Sequence, residues 1–328
     1  MHKSLGNSVS PSDVIPKYGA DLVRLWVASS DYRVDVRVSD PIFKQLSDAY
    51  RKIRNTVRIL IADLSDFNPD TDAVAFDALP EIDRWMISRM NELTKSVLES
   101  YNDYEFHAIY HAVNNFCTTD LSKLYIAITK DRVYTEQKDG VLRRSAQTAM
   151  YFVLSGLIRL LAPILAFTAE EMWQAIPHRA ADRTESVFLN QMPAWDEALT
   201  YPAVREKWDR LFEMRDDVMK ALELVRTEKM VGKSLDAKIT LYTSDVAMLE
   251  LLSEFGDELK TVFIVSGVEV KNEAAPAAAH TEGTCGVGVL VSPADGCKCD
   301  RCWSFSQNGL HTEDGGFLCD RCRNILGL

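Results

Sequence analysis

The sequence predicts a mainly α protein: an antiparallel helical bundle, then a small α/β unit, then a C-terminal ribbon organised by cysteines. Three observations carry that reading. Apolar residues recur at helical spacing from Ile42 through most of the stretch to about residue 200. A β-branched run, Lys238-Ile-Thr-Leu-Tyr242, follows a long charged helical stretch. Four of the seven cysteines form two Cys-x2-Cys pairs, Cys299/Cys302 and Cys319/Cys322, with sixteen residues between them.

The bundle is read element by element. From Ile42, the residues Phe43, Leu46, Ala49, Tyr50, Ile53, Val57, Leu60 and Ile61 trace one face of an amphipathic helix, which the turn Asp66-Phe-Asn-Pro69 closes. Lys44, Arg51 and Arg58 fall seven apart on another stripe, with Lys52 and Arg54 nearby. Such a stripe is either a solvated face or a phosphate contact. A second helix starts near Pro80 and carries Ile82, Trp85, Met86, Met90, Leu93 and Val97. A third runs from about Tyr104 to Arg132. Its His107 and His111 are four apart, but residue 108 is Ala and no third ligand lies nearby, so buried, hydrogen-bonded histidines are expected there rather than a metal. The fourth helix, roughly 141–161, meets Pro163. Thr168-Ala-Glu-Glu171 reads as a capping box opening a fifth, which ends before Pro177. Short connections between such helices give antiparallel neighbours.

Residues 201–270 read as the small α/β unit: a charged helix over about 203–228, the strand at 238–242, a short helix near 245–256 and the run Thr261-Val-Phe-Ile-Val265. Gly232-Lys233-Ser234 lacks the glycine five positions earlier that a phosphate-cradling loop needs. Residues 271–285, with Ala274-Ala-Pro-Ala-Ala-Ala279, read as a flexible linker to a ribbon spanning 286–328, whose first strand is Gly286–Val291.

The paired cysteine spacing predicts one structural zinc ion held by Cys299, Cys302, Cys319 and Cys322. Four thiolates leave no position for water, so no metal catalysis is expected, and so short a segment depends on its metal to fold. Two disulfides would need an oxidising compartment, and the N-terminus has no signal architecture. Cys117 reads as a buried small hydrophobe, while Cys285 and Cys297 have no evident partner. Around the knuckles, Lys298, Arg301, Trp303, Arg321 and Arg323 alternate with Asp300 and Asp320. Two readings of Trp303 stand side by side: stacking on an unpaired base with cations on phosphate, or packing beneath the zinc loops.

Composition sets outer limits. A chain of 328 residues suits two or three domains, and 47% apolar with 26% charged content is that of a globular protein. Arg159 interrupts the longest apolar stretch, so no membrane span and a cytoplasmic location are expected. A net charge of −11 opposes indiscriminate nucleic-acid binding but leaves room for a local basic face.

Several stretches carry a resemblance. Ser30-Asp-Tyr-Arg-Val-Asp-Val-Arg37, Ala49-Tyr-Arg-Lys-Ile-Arg-Asn-Thr56, Asn114-Asn-Phe-Cys-Thr118, Leu161-Ala-Pro-Ile-Leu-Ala-Phe-Thr-Ala-Glu-Glu-Met-Trp173 and Lys298-Cys-Asp-Arg-Cys-Trp303 resemble bacterial-type isoleucyl-tRNA synthetases, a family of class I aminoacyl-tRNA synthetases. Met1-His-Lys-Ser-Leu-Gly-Asn7 is similar to the family's Lys-Met-Ser-Lys-Ser loop from its second position, with His2 in place of Ser. The resemblance covers nearly the whole chain in order. It implies a C-terminal portion: residues 1–40 as the end of the catalytic domain and a stem-contact connector, 41–200 as the anticodon-binding bundle, and the ribbon as a clamp on the anticodon loop. It assigns Lys3 to charge stabilisation on ATP phosphates, supported by Ser4 and Gly6, with Mg2+ accompanying the ATP. It favours isoleucine tRNA as partner, with contacts from Arg37, Lys44, Arg51, Arg58, Lys298, Arg301 and Trp303. The parent enzyme would join isoleucine to its tRNA through an adenylate. This chain, without a His-x-Gly-His element, complete nucleotide fold or editing insert, is expected to be inactive alone and monomeric. Two alternatives remain open: a free-standing non-catalytic tRNA- or RNA-binding protein, and a zinc-ribbon interaction module with no RNA role.

Overall fold

The computed structural model describes residues 9–313 and 315–328. The expected Lys3, Ser4 and Gly6 loop, with His2, therefore lies outside the described residues. The chain divides into two compact units. The first runs to Ala127 and resumes over Arg144–Tyr201; the second comprises Ile128–Arg143 and Pro202–Leu328.

The first unit is helical. It opens with two short helices that periodicity did not reveal: α1 (Pro11–Tyr18), capped by a Ser10/Asp13 box, and α2 (Ala20–Ser29). α3 (Asp40–Asp63) follows, burying Phe43, Leu46, Ala49, Ile53, Val57 and Leu60 as the spacing predicts. Then come α4 (Glu81–Asn102) and α5 (Phe106–Asn115), which continues through a π-helical stretch (Phe116–Ile126) into α6 (Ala127–Thr135). α7 (Val141–Leu161) and α8 (Ala166–Trp173) complete the helices up to residue 173.

α7 is buried on nearly every side, which marks it as the central helix of the first unit. Its small residues permit this. A Cβ on Gly156 would stand 2.7 Å from the Met90 Cε, so α4 approaches α7 closely there. α7 also serves its neighbours' ends. Gln147 Nε2 donates to the Asp63 carbonyl at 2.8 Å and Arg144 Nη1 to the Asp66 carbonyl at 3.0 Å, satisfying acceptors left open where α3 stops.

Two expectations are corrected here. Thr168 does not cap α8; it is the third residue of that helix, and its hydroxyl donates to Asp21 Oδ2. The cap comes from α2 instead: Asp21 accepts from the Phe167 and Thr168 amides at 3.3 and 2.7 Å. One turn along, Arg24 donates to the Pro163 and Ile164 carbonyls at 2.6 and 2.8 Å. A carboxylate at one helix start and a guanidinium at the preceding helix end both oppose the local dipole charge. Nor are the histidines buried and bonded. His111 is exposed, and the half-buried His107 leaves Nδ1 without a hydrogen bond, 3.4 Å from Glu105. The face of α5 that turns inward carries Ile109 and Val113, a step away from both.

The second unit centres on β1 (Ala237–Tyr242), flanked by β2 (Gly267–Lys271) in parallel and β3 (Gly288–Pro293) antiparallel. α9 (Pro202–Thr227) supplies Trp208, Leu211, Met214 and Val218 to this core, and α10 (Val246–Phe255) with α11 (Glu258–Phe263) crosses from β1 to β2. The run Thr261–Val265 ends a helix, and the strand comes just after it. The strand expected to open the ribbon is corrected likewise: β3 pairs with β1 from Ala237↔Pro293 to Tyr242↔Gly288 and belongs to the α/β sheet. The linker before it is pinned, since His280 and Val289 exchange backbone bonds at 2.9 Å and Asp217 accepts from the Thr284 and Cys285 amides at 2.8 and 3.2 Å.

The ribbon proper holds two hairpins, β4 (Cys297–Lys298) with β5 (Phe305–Ser306) and β6 (Gly309–His311) with β7 (Phe317–Cys319), then α12 (Asp320–Leu326).

Candidate metal centre and nucleic-acid interface

Each Cys-x2-Cys pair sits at a turn where a strand stops pairing. Cys299 and Cys302 flank the β4–β5 connection; Cys319 ends β7 and Cys322 lies in the first turn of α12. The four Sγ atoms lie within 4.8 Å of one another and all four residues are buried. Cys302 and Cys319 bring their sulfurs to 3.7 Å. Tetrahedral zinc with Zn–S bonds near 2.3 Å requires sulfur separations of about 3.8 Å, so the donor set fits that ion. The protein environment alone divides the thiols. Burial opposes ionisation of Cys299, but backbone amides from Cys302, Cys319 and Arg301 outweigh it and bring this thiol down to about 6. Burial and the neighbouring Cys302 push Cys322 up to about 12. A divalent cation would reconcile four sulfurs that otherwise repel as thiolates. Among the described residues, the ribbon core holds, apart from these cysteines, only Phe317, with Leu318 packed against it. Cys117 is wholly buried, its thiol pushed up to about 12 by that burial, as expected of a core residue. Cys285 is half-buried and Cys297 exposed.

Trp303 does not pack beneath the zinc loops. It is 60% exposed, and its backbone, whose amide donates to the Cys299 carbonyl at 2.9 Å, sits at φ +66°. A bulky residue is rarely found in that left-handed region, so the knuckle holds the indole out at a local conformational cost. Lys233, from the loop after α9, places its ammonium 5.8 Å from the ring centroid. Lys298 is exposed, 3.7 Å from Asp236 and above the Phe305 ring. Arg301 is half-buried and aims Nη1 at Cys322 Sγ, 3.7 Å away, so its guanidinium faces the sulfur cluster. Arg321 is committed elsewhere: it grips both carboxylate oxygens of Asp131 at 2.5 and 2.9 Å and reaches Thr135 at 3.4 Å. Arg323 pairs with Asp320 at 3.4 Å.

The remaining basic candidates lie in the first unit. Lys44 pairs with Asp40 at 3.4 Å and Arg51 with Asp48 at 2.6 Å, both well exposed. Arg58 is exposed and has no ion-pair partner among the described residues. Arg37 is exposed; its carbonyl accepts from Trp26 Nε1 at 3.1 Å, and it lines a hollow of about 310 Å³ with Trp26, Asp31, Asp35 and Tyr110. Sequence reasoning missed Lys233 as Trp303's neighbour. The sequence presents Gly232-Lys233-Ser234 only as a failed phosphate loop, and the 69 residues between Lys233 and Trp303 hide the contact.

An exposed indole on a cysteine cluster in one unit, and a basic stripe on a helix of the other, can be set against known proteins. Residues 83–241 match the anticodon-binding domain of tRNA ligase, and residues 1–39 match the class I tRNA synthetases for I, L, M and V. The class is therefore the anticodon-binding region of a class I tRNA synthetase. Within it, the chain is 46% identical to the isoleucine–tRNA ligase of Syntrophotalea carbinolica across 99% of its length, and 45% identical to that of Geobacter sulfurreducens across 98%. The ligase of Symbiobacterium thermophilum is 46% identical across 99%. The chain corresponds to the C-terminal anticodon-binding region of isoleucyl-tRNA synthetases, and spans 34–35% of the length of these relatives. Among the described residues no helix is long and apolar enough to cross a membrane.

Proposed function

We propose that this chain is the tRNA-reading part of an isoleucine–tRNA ligase, whose whole activates isoleucine with ATP and Mg2+ and transfers it to the cognate tRNA. The observation that carries the reading is Trp303, held out at 60% exposure by a turn whose first and last cysteines belong to the four-sulfur cluster. An indole so placed offers its face to an unpaired base, and stacking of this kind contributes about 1–3 kcal/mol per base. Cys299, Cys302, Cys319 and Cys322 would hold one zinc ion, which when bound supplies a rigid cross-link with no open coordination position. Lys298, just before the knuckle, and Arg301, within it, supply positive charge to the adjoining phosphates, Arg301 while also facing Cys322. In the first unit Arg58 and Arg37 are the readiest phosphate contacts, with Lys44 and Arg51 contributing once their acidic neighbours are displaced. Lys3, supported by Ser4 and Gly6, belongs to ATP chemistry completed only by the rest of the enzyme, so the chain alone makes no isoleucyl-adenylate. It acts as a monomer.

The test is binding of the zinc-loaded chain to isoleucine tRNA and to a non-cognate tRNA across a salt series. Cognate preference that falls about 10-fold or more on Trp303→Ala is expected. Equal binding to both tRNAs, unaffected by that substitution, would remove the claim that this region carries recognition.

A further inference from the structure

The loop between α9 and β1 has no assigned role, yet it is the part of the α/β unit that meets the indole. Residues Glu228–Lys233 leave the end of α9 through Lys229 at φ +61°, and Lys229, Met230, Gly232 and Lys233 are all exposed. Five non-glycine residues adopt the left-handed region among those described, and Lys229 and Trp303 are two of them. Backbone held in that region costs about 1–2 kcal/mol; at Lys229 it ends α9, the Met230 amide donating to the Val225 carbonyl at 3.1 Å, and at Trp303 it turns the indole outward. Here both residues present a side chain suited to nucleic acid, one cationic and one aromatic.

The loop and the ribbon are joined by hydrogen bonds rather than merely adjacent. The Lys233 amide donates to Asp236 Oδ2 at 2.9 Å, and Asp236 Oδ1 lies 3.7 Å from the Lys298 ammonium. Ser266 Oγ donates to the Leu235 carbonyl at 2.5 Å and accepts from the Phe305 amide at 2.8 Å. This chain of contacts sets the height of Lys233 over Trp303, at 5.8 Å. On the other side of Gly232, a hollow of about 290 Å³ is lined by Glu223, Arg226, Thr227, Lys229, Val231 and Gly232. Arg226 there is paired with Glu223 at 3.2 Å, which leaves Lys229 and Lys233 as the loop's available cations.

We propose that Lys229 and Lys233 form, with Trp303, one composite site for a single-stranded RNA nucleotide, the base stacking on the indole and the flanking phosphates held by the two lysines. The inference rests on the tRNA-reading function above and extends it to the α/β unit. Lys233 fits the role doubly. Its ammonium polarises the indole face and stands within a side chain's swing of the backbone of any base stacked there. Lys229 turns the chain out of α9, its amide donating to the Arg226 carbonyl at 3.0 Å, and stands exposed four residues before Lys233 on the same loop.

The experiment uses the full zinc-loaded chain and two RNA probes, the anticodon stem-loop of isoleucine tRNA and a blunt duplex of equal length. Lys233→Ala and Lys229→Gly are each expected to weaken stem-loop binding about 5- to 10-fold and to lower the slope of log K against log salt by about 0.7. Glycine at 229 accepts the left-handed backbone, so thermal stability should hold. Lys260→Ala, which removes the same charge elsewhere in the unit, should leave binding unchanged. Lys233→Ala combined with Trp303→Ala should weaken binding by less than the product of the single effects, because both act on one nucleotide. Unchanged binding in both lysine variants, alongside a loss in Trp303→Ala, would overturn the composite site and leave the tRNA-reading function standing. No preference of the unsubstituted chain for stem-loop over duplex would overturn both.

Discussion

Asp21 shows how much one carboxylate can organise. It is buried, accepts two amides at the start of α8 and one hydroxyl from Thr168, and so satisfies donors that would otherwise be enclosed without partners. Thr168 in turn bonds Tyr50, whose hydroxyl accepts from Arg54 Nη1 at 3.1 Å, and Arg54 pairs with Glu171. The chain of contacts thus links α2, α8 and α3 through a single buried anion. Asp21→Ala removes the acceptor and leaves the amides, which should cost about 2 kcal/mol, more than an exposed cap would. Thr168→Val, which keeps the amide bond and loses only the hydroxyl, should cost about 1 kcal/mol. Urea denaturation of the two variants checks the order; an Asp21 variant no weaker than the Thr168 one would show that the cap contributes little.

At the scale of elements, what the sequence made legible depended on whether a segment's partners were near in the chain. The periodicity of α3 and α7 and the spacing of the cysteines are local patterns, and their burial followed. Thr168-Ala-Glu-Glu171 fits a capping box by spacing, but the true cap sits 147 residues away, beyond any local rule. β3 reads as part of the ribbon for the same reason, since nearness in sequence to the cysteines says nothing about which strand edge it completes. Of the candidate site, the gathering of the four cysteines is readable in the sequence and the exposure of Trp303 is not, because only the knuckle's left-handed turn decides which way the indole points. The linker before β3 supplies a pH test. The Asp217 side chain is 2% exposed; burial works against its ionisation, but the Cys285 amide, Lys220 and the Thr284 amide outweigh that and hold its carboxyl below the usual 3.8. A carboxyl depressed in the fold contributes stability above its unfolded value, and that contribution is lost as pH falls through the folded one. Acidification below about pH 4 should therefore destabilise the second unit, and Asp217→Asn should flatten this part of the profile. Guanidinium midpoints between pH 5 and 2 would show it; parallel profiles for the two proteins would assign the acid loss to other groups.

At the scale of the whole molecule, the two units differ in what holds them. The first has a large apolar core around α7, including Met150, Val153, Leu154, Leu157 and Ile158, all with no exposure. The ribbon's core is four sulfurs and one phenylalanine, too little apolar area to offset the entropy of ordering some thirty residues. Metal removal should therefore be a local event and not global unfolding. Chelation is expected to abolish amide-exchange protection across 297–326, and to loosen α6 near Asp131 and Thr135, where Arg321 is anchored. β1 and the inner face of α9 should keep most of their protection, because their burial comes from Trp208, Leu211, Ile239 and Phe263 and not from the ribbon. Far-UV circular dichroism should change little, since α12 is the ribbon's one helix and has seven residues. The informative contrast is Arg321→Met. It should loosen α6 without releasing zinc, separating the anchor from the metal, whereas Cys319→Ser should do both. Loss of protection throughout α4 and α7 on chelation would mean that the metal stabilises far more of the chain than the cysteine cluster touches.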